Sequence, residues 1–470
     1  MTTPDITRIW PSGVHINEHT GAWEDRGESF EQLATTYGTP LYVMDTTDVA
    51  DRARYFVNTV REAFANTTSH VSFAGKAFLS KEIARIVTDE GMYVDTCTWG
   101  EMKIALAAGV PGRRLVLHGN NKSDDEIRLA IENDFDKIVI DEPHEAQRIA
   151  RIAREVGKRA RVMVRVTVGV HAGGHEYIST AHEDQKFGIA LLPADHSDVS
   201  DVQSVEFFDQ VAHGPAVAAM HDVLDMQDDL ELVGIHSHIG SQIHDADAFI
   251  AAAERVMVLR RAFYATDGYV APEIDLGGGY SVAYVDGDAS MDVDVTMKRI
   301  AAALQDDSSR AGLPLPTVSF EPGRWIVAPA GYTIYRVGTV KTVQLEGGAS
   351  RVYVSVDGGM SDNIRPALYG SQYTATITNR APATTDTIQA RIVGSHCESG
   401  DIVVHDVKLP ADVQRGDLLA VPVTGAYGRT MASNYNQILR PAVVAVNEEG
   451  SHIMMRRETV DDLLSLDVSE

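Results

Sequence analysis

The sequence predicts a (β/α)8 TIM-like barrel with a C-terminal antiparallel β-sandwich or β-barrel domain. Three observations carry that expectation. Eight short apolar runs alternate with helical patterns between residues 71 and 321. That span is close to the roughly 250 residues typical of such a barrel. Beyond residue 325 the texture changes to short β-branched segments separated by turn residues. At 470 residues the chain also exceeds the usual size of a single core. The expected division is residues 46–317 for the barrel, with residues 1–45 and 318–470 forming the β domain.

The elements follow in order. VSFAG (71–75) reads as the first strand and LSKEIARIVTDEG as the helix after it. MYVDT (92–96) precedes WGEMKIALAAG, and RLVLH (114–118) precedes SDDEIRLAIEND, where Ser123 is placed to cap the helix. KIVID (137–141) leads into the periodic EPHEAQRIARIAREVG, and RVMVRV (161–166) follows. An acidic insertion near 193–230, to which no role is assigned, comes before LVGIHSH (232–238) and the helix DAFIAAAERVMVLRRAFYATDG. EIDLGGG (273–279) and TVSFEPG (317–323) complete the set. Eight βα units in series favour closure over a doubly wound open sheet. Downstream, YTIYRVGTVKTVQL, RVYVSVDGG, TATITNR, IQARIVGS and DIVVHDVKLP read as strands of the second domain. GTPLYVMD (38–45) precedes the barrel and is expected to pair with them.

Composition narrows the function classes. A formal charge of −26 disfavours electrostatic binding to nucleic acid or anionic membranes. No apolar run approaches the ~18 residues that a membrane span needs. The start MTTPDITRIWPSG lacks the pattern of a secretory signal. Cys97 and Cys397 are too few for a disulfide scaffold, so a reducing cytoplasm is expected.

In a barrel, chemistry collects where strands end. Those positions hold Lys76, Asp95, His118, Asp141, Arg165, His236 with His238, Gly277–Gly279, and Glu321 with Arg324. Lys76 in FAGKAF sits in an apolar setting that favours a neutral amine, a candidate imine former. The glycines of DLGGGY follow the seventh strand, where backbone N–H groups can surround a phosphate. HSHIGSQ offers an imidazole to pack on a flat ring and Ser241 to touch phosphate. In EPGRW, Pro322 and Gly323 turn the chain sharply, aiming Glu321 inward, where a carboxylate would keep a pyridine nitrogen protonated. No metal is expected: His236 and His238 lack a third ligand at suitable spacing, and HEYISTAH is too long for a zinc helix. Lysine, phosphate loop, ring partner and carboxylate converge on pyridoxal 5′-phosphate. Cys397 in GSHCESGD stays open as nucleophile, proton donor, metal ligand or buried filler.

FAGKAF, HGNNKS, HEYISTAHEDQKFG, HSHIGSQ, DLGGGY, EPGRWIVAPAG, DGGMSDNIRPALYG, HCESGD and GAYGRTMASNYN together resemble the barrel-type (fold type III) pyridoxal-phosphate decarboxylases. The likeness is strongest to the diaminopimelate decarboxylase family and runs from residue 71 to 436. It implies loss of CO2 from meso-2,6-diaminopimelate to give L-lysine, the last step of lysine biosynthesis. By the same resemblance Lys76 would hold the cofactor, His238 would stack on its ring and Arg165 would lie near its phenolic oxygen. Ser241, Gly277, Gly278, Gly279 and Tyr427 would bind phosphate, with Asp95, Gly323 and Arg324 completing the cofactor pocket and Glu321 facing the ring nitrogen. Arg324, Arg365, Tyr369 and Tyr427 would grip the substrate's distal end, and Glu398 its distal ammonium. Cys397 would be the proton donor, reaching in from the partner of a homodimer with shared active sites.

Some positions depart from the family pattern. Phe78 stands where asparagine is common, Trp99 where glycine is common, and SNYNQILRP lacks the arginine often found after the asparagine. Two alternatives remain at this stage. One is a decarboxylase of the same fold acting on ornithine, arginine, lysine or carboxynorspermidine. The other is a catalytically inactive homologue, against which stand Lys76 and Cys397.

Overall fold

Eight parallel strands close on themselves in a computed structural model that describes residues 5, 8–170, 185–197 and 199–469. They are β1 (Ser69–Ala74), β2 (Tyr93–Thr96), β3 (Leu115–Leu117), β4 (Lys137–Ile140), β5 (Ala160–Thr167), β6 (Leu230–His236), β7 (Glu273–Asp275) and β8 (Thr317–Phe320). Neighbours in sequence are neighbours in the sheet, and β8 returns to β1 through Val318 opposite Ser69. A closed parallel sheet wrapped by helices is buried on both faces, which is why these strands are almost continuously apolar. All residues of β3, β4 and β7 are buried. Ser80, Thr98 and Ser123 cap the next three helices, and Ser123 forms a reciprocal capping box with Glu126.

The acidic insertion contains two helices, Val205–Ala212 and Pro215–Asp225. Phe207, Val211, Met220 and Val223 on their inner faces are buried. The first packs on the long helix Ala246–Asp267 and the second against β5 and β6. Acidic residues on the outer faces masked this amphipathic pattern in the sequence.

The described chain divides into two compact units. The barrel unit is Ala53–Ser281 with Ser290–Gly323. The β unit takes the N-terminal part through Arg52, Val282–Ala289, and everything from Arg324 onward. Both boundaries therefore fall a few residues beyond those expected, so that β8 and Glu321 stay with the barrel. The segment Val282–Ala289, expected in the barrel, groups with the β unit.

Within the β unit the long strand Gly331–Gln344 organises the sheet. It pairs antiparallel with Leu41–Asp45, Ser350–Val356 and Leu418–Pro422. The early strand GTPLYVMD thus joins this sheet, as its sequence suggested. The sheet is mainly antiparallel, with two parallel pairings: Ser350–Val356 with Thr387–Val393, and Leu41–Asp45 with Ala442–Asn447. Its core centres on Phe30, stacked on Tyr332 with ring centroids 4.5 Å apart, among Leu33, Val43, Ile334 and Val444. Among the described residues no helix is long and apolar enough to cross a membrane.

Candidate active site

The C-terminal ends of the barrel strands surround one cavity. Its lining includes Lys76 after β1, Asp95 of β2, His118 after β3, Arg165 of β5, His236 and His238 of the β6 end, and Glu321 after β8. Positions spread over almost 250 residues of sequence are thereby brought together by strand order alone. Lys76 lies in the short turn Gly75–Ala77. Gly75, Ala77 and Phe78 are buried while Lys76 itself is exposed, so the apolar neighbours do not desolvate the amine as expected.

Glu321 is the electrostatic centre of the floor. Its Oε1 lies 3.1 Å from His118 Nε2 and 3.1 Å from His236 Nε2. His118 Nε2 is also 3.7 Å from Asp95 Oδ1. Burial alone would lower the His118 pKa, but Glu321 and Asp95 outweigh it and raise it to about 9. For His236 burial wins, and the pKa falls to about 4 despite Glu321. Burial and the nearby Glu321 charge raise Asp95 to about 6. Burial likewise opposes ionisation of Glu321, yet His236 and His118 together hold it well below the usual carboxylate range. The floor at neutral pH is therefore two carboxylates, one imidazolium and one neutral imidazole. The groups that converge in space are His118, His236 and Glu321, and His238 of the His-x-His pair is not among them. Both imidazoles address the same carboxylate oxygen, His236 as a hydrogen-bond donor and His118 as an ion-pair partner.

His238 is neutral, because burial and the positive charges of Lys76 and Arg165 hold its pKa well below 6.5. The Gly278 N–H donates to His238 Nδ1 at 3.1 Å, which leaves the proton on Nε2 and fixes the ring's orientation. Arg165 is buried, 3.9 Å from Asp141, with its guanidinium 4.6 Å above the Phe187 ring. Of HEYISTAHEDQKFG, residues 175–184 lie outside the described residues.

The three glycines are required by space. A Cβ on Gly277 would sit 2.7 Å from His238 Nδ1, one on Gly278 would sit 2.2 Å from the Glu321 carbonyl oxygen, and one on Gly279 would sit 2.4 Å from that of Gly240. Gly277 and Gly279 also have φ of 69° and 114°, the left-handed region. The expected role of their N–H groups is only partly available, however. Gly277 N–H donates to Asp275 Oδ1 at 2.9 Å and Gly278 N–H to His238. The missing side chains let the loop pack closely on His238 and on the backbone of Glu321 and Gly240. Ser241 is half-buried in the loop after β6.

A second cluster belongs to the β unit. Arg324 and Arg365 are both buried, at 9% and 5% exposure. Arg324 hydrogen-bonds to the Tyr284 hydroxyl and lies 4.6 Å from the Tyr427 ring centroid. Arg365 donates to the Tyr373 hydroxyl at 2.5 Å and sits 4.7 Å above the Tyr284 ring. The rings that meet the arginines are thus Tyr284, Tyr373 and Tyr427. Tyr369, named from the sequence, is half-buried one turn beyond Arg365 in the helix Arg365–Tyr369. Tyr284 and Tyr373 were missed because no local pattern marks them.

Cys397 is exposed, which removes the buried-filler reading. Its loop is held from below. Asp401 accepts the N–H groups of Met360 at 2.6 Å and His396 at 2.8 Å, and Asn436 Oδ1 accepts that of Cys397 at 3.1 Å. The buried His396 ring lies 2.9 Å from Ser361 Oγ and stacks on Tyr435. Glu398 is exposed beside Cys397. The two departures near Lys76 separate: Phe78 is buried, while Trp99 is exposed under the Lys103 ammonium.

A lysine, a neutral buried imidazole, a glycine loop too closely packed for any side chain, and an ionised carboxylate at the floor fit a phosphorylated pyridine cofactor. The family model for the pyridoxal-binding domain of pyridoxal-dependent decarboxylases matches residues 51–328. The chain belongs to the pyridoxal-dependent decarboxylase family, and within it to the diaminopimelate decarboxylases. It is 44% identical to the diaminopimelate decarboxylase of Mycobacterium tuberculosis over 98% of each chain. It is 39% identical to that of Bacillus subtilis over 96% of each. Among solved structures, diaminopimelate decarboxylase from M. jannaschii in co-complex with L-lysine superposes with a TM-score of 0.82 at 30% identity, covering 98% of both chains. The Helicobacter pylori enzyme complexed with L-lysine gives 0.78 at 28%, covering 93% of this chain and 98% of that one.

Proposed function

We propose that this protein decarboxylates meso-2,6-diaminopimelate to L-lysine and CO2, using pyridoxal 5′-phosphate. One observation carries the reading: Lys76, Arg165, His238 and Glu321 line a single cavity whose floor is already ionised. When bound, the cofactor supplies a sink for the electron pair that CO2 leaves behind. The chain's residues do the rest. Lys76 would hold the cofactor. His238, neutral and fixed by Gly278, offers its ring face without adding positive charge to the ring it covers. Glu321 would keep a proton on the ring nitrogen. Gly277–Gly279 and Ser241 would bind the phosphate, with Asp95 and Gly323 beside them.

Arg324 and Arg365 are suited to the substrate's distal carboxylate, because buried guanidiniums among phenols favour an anion. A simple basic amino acid has no such group and would leave these arginines without a carboxylate partner. Glu398 pairs with the distal ammonium, and Cys397 Sγ delivers a proton to the carbon that has lost CO2. An exposed thiol on a firmly held loop is what a residue completed by a second copy requires, so a homodimer with shared active sites in the cytoplasm forms part of the proposal.

The test is turnover of meso-2,6-diaminopimelate by the cofactor-loaded protein, wild type beside Cys397→Ala, with lysine and CO2 both measured. Lysine from the first and a loss of at least ~100-fold in the second are expected. No lysine from wild type would sink the substrate assignment, and equal rates would remove Cys397 as donor.

A further inference from the structure

Glu321 and Asp95 are two buried carboxylates on one floor, and like charges in a low-dielectric site disfavour joint ionisation. Without compensation the pair would take up a proton near neutral pH, and a protonated Glu321 could no longer hold a proton on a ring nitrogen. One side chain meets both carboxylates. His118 Nε2 stands 3.1 Å from Glu321 Oε1 and 3.7 Å from Asp95 Oδ1, between the ends of β8 and β2. His236 also donates to Glu321, but its ring is neutral at physiological pH. It therefore orients the carboxylate without balancing its charge.

We propose that His118 is a positioning residue: by bridging Glu321 and Asp95 it keeps both ionised and aims Glu321, so that the pocket holds a protonated pyridine ring down to mildly acidic pH. This rests on the cofactor reading above and goes beyond it, since it assigns the floor's charge balance to a residue that need not touch the substrate. The groups facing His118 are Glu321, Asp95 and His236, whose ring centroid lies 5.2 Å away. Asp275 and Arg165 act on the same floor through Glu321. The summed charge of Glu321, Asp95 and His118 is one negative unit, which one ring N–H⁺ neutralises.

The sign follows from the carboxylates. Raising their pKa makes the floor lose its charge at a higher pH, so the acid limb of cofactor binding moves upward when the imidazolium is removed. The experiment is titration of apoprotein with pyridoxal 5′-phosphate between pH 5 and 9, followed by the visible absorption of the bound cofactor and by cofactor retention on gel filtration. His118→Ala removes charge and contact; His118→Asn keeps a donor for Glu321 but no charge. Both variants are expected to shift the acid limb upward by about one pH unit or more, which is about tenfold weaker binding on that limb. At pH 8 the Asn variant should recover affinity that the Ala variant lacks. An acid limb and affinity unchanged from wild type in both variants would overturn the assignment. A shift in the Ala variant alone would also overturn the charge role, leaving only a hydrogen bond. Wild type that fails to bind the cofactor at any pH sinks the underlying reading instead, a distinguishable result. Thermal melts of both apoproteins show whether each variant is folded. If the Ala variant is not, the Asn variant alone decides: a shifted acid limb supports the charge role and an unshifted one overturns it.

Discussion

On the barrel floor, Glu321 and Asp95 are met by His118 and His236, so charges of opposite sign face each other within the protein. In the β unit, Arg324 and Arg365 are packed instead among Tyr284, Tyr373 and Tyr427, which supply ring faces and hydroxyls. The first arrangement keeps its shape by its own hydrogen bonds and asks one positive charge of a ligand. The second is cationic and rewards a ligand that brings a carboxylate. On the proposed reading the difference separates two tasks: the floor would serve whatever amino acid is processed, while the arginine cluster would select among amino acids.

Three outcomes test that division, in descending size. Glu321→Ala should lower kcat by about 10²–10³-fold, the magnitude lost with a preorganised electrostatic group. Because the floor acts on the cofactor, the loss should be similar for diaminopimelate and for any slow alternative substrate; a loss confined to diaminopimelate would break the comparison. Arg365→Leu should raise KM for diaminopimelate, with kcat/KM falling on the order of 10²-fold, as when one partner of a buried charge pair is truncated. The visible spectrum of the bound cofactor should not change, and a changed spectrum would mean that the cluster serves the cofactor after all.

The smallest effect concerns stability away from both sites. Burial and the neighbouring Asp45 raise Asp25 to about 7 in the β unit. A carboxyl whose folded pKa is raised contributes stability that is present below its unfolded pKa and is lost as pH rises through the folded one. The protein should therefore lose a few degrees of melting temperature between about pH 4 and 7. Asp25→Asn should flatten that part of the curve, and a profile identical to wild type would remove Asp25 as its source.

Much of this was legible because it is local or periodic. The eight strands showed as short apolar runs, and Ser123 before an acidic turn announced its cap. The motifs at strand ends were readable because a barrel, once inferred, puts every such end on one face. The two insertion helices escaped because their acidic outer faces dominate the composition. Tyr284 and Tyr373 escaped for a different reason: a tyrosine against a guanidinium leaves no mark on its sequence neighbours.

By itself, then, the sequence determined the barrel, its order of elements, the lysine, the glycine loop and the carboxylate at the end of β8, because each depends on periodicity or on contacts a few residues apart. Only the tertiary structure decided what charge that carboxylate carries. His118 is separated from Glu321 by five barrel strands in the chain and by 3.1 Å in space. A pKa is set by burial and by charges within a few ångströms, and those distances exist only once the barrel has closed.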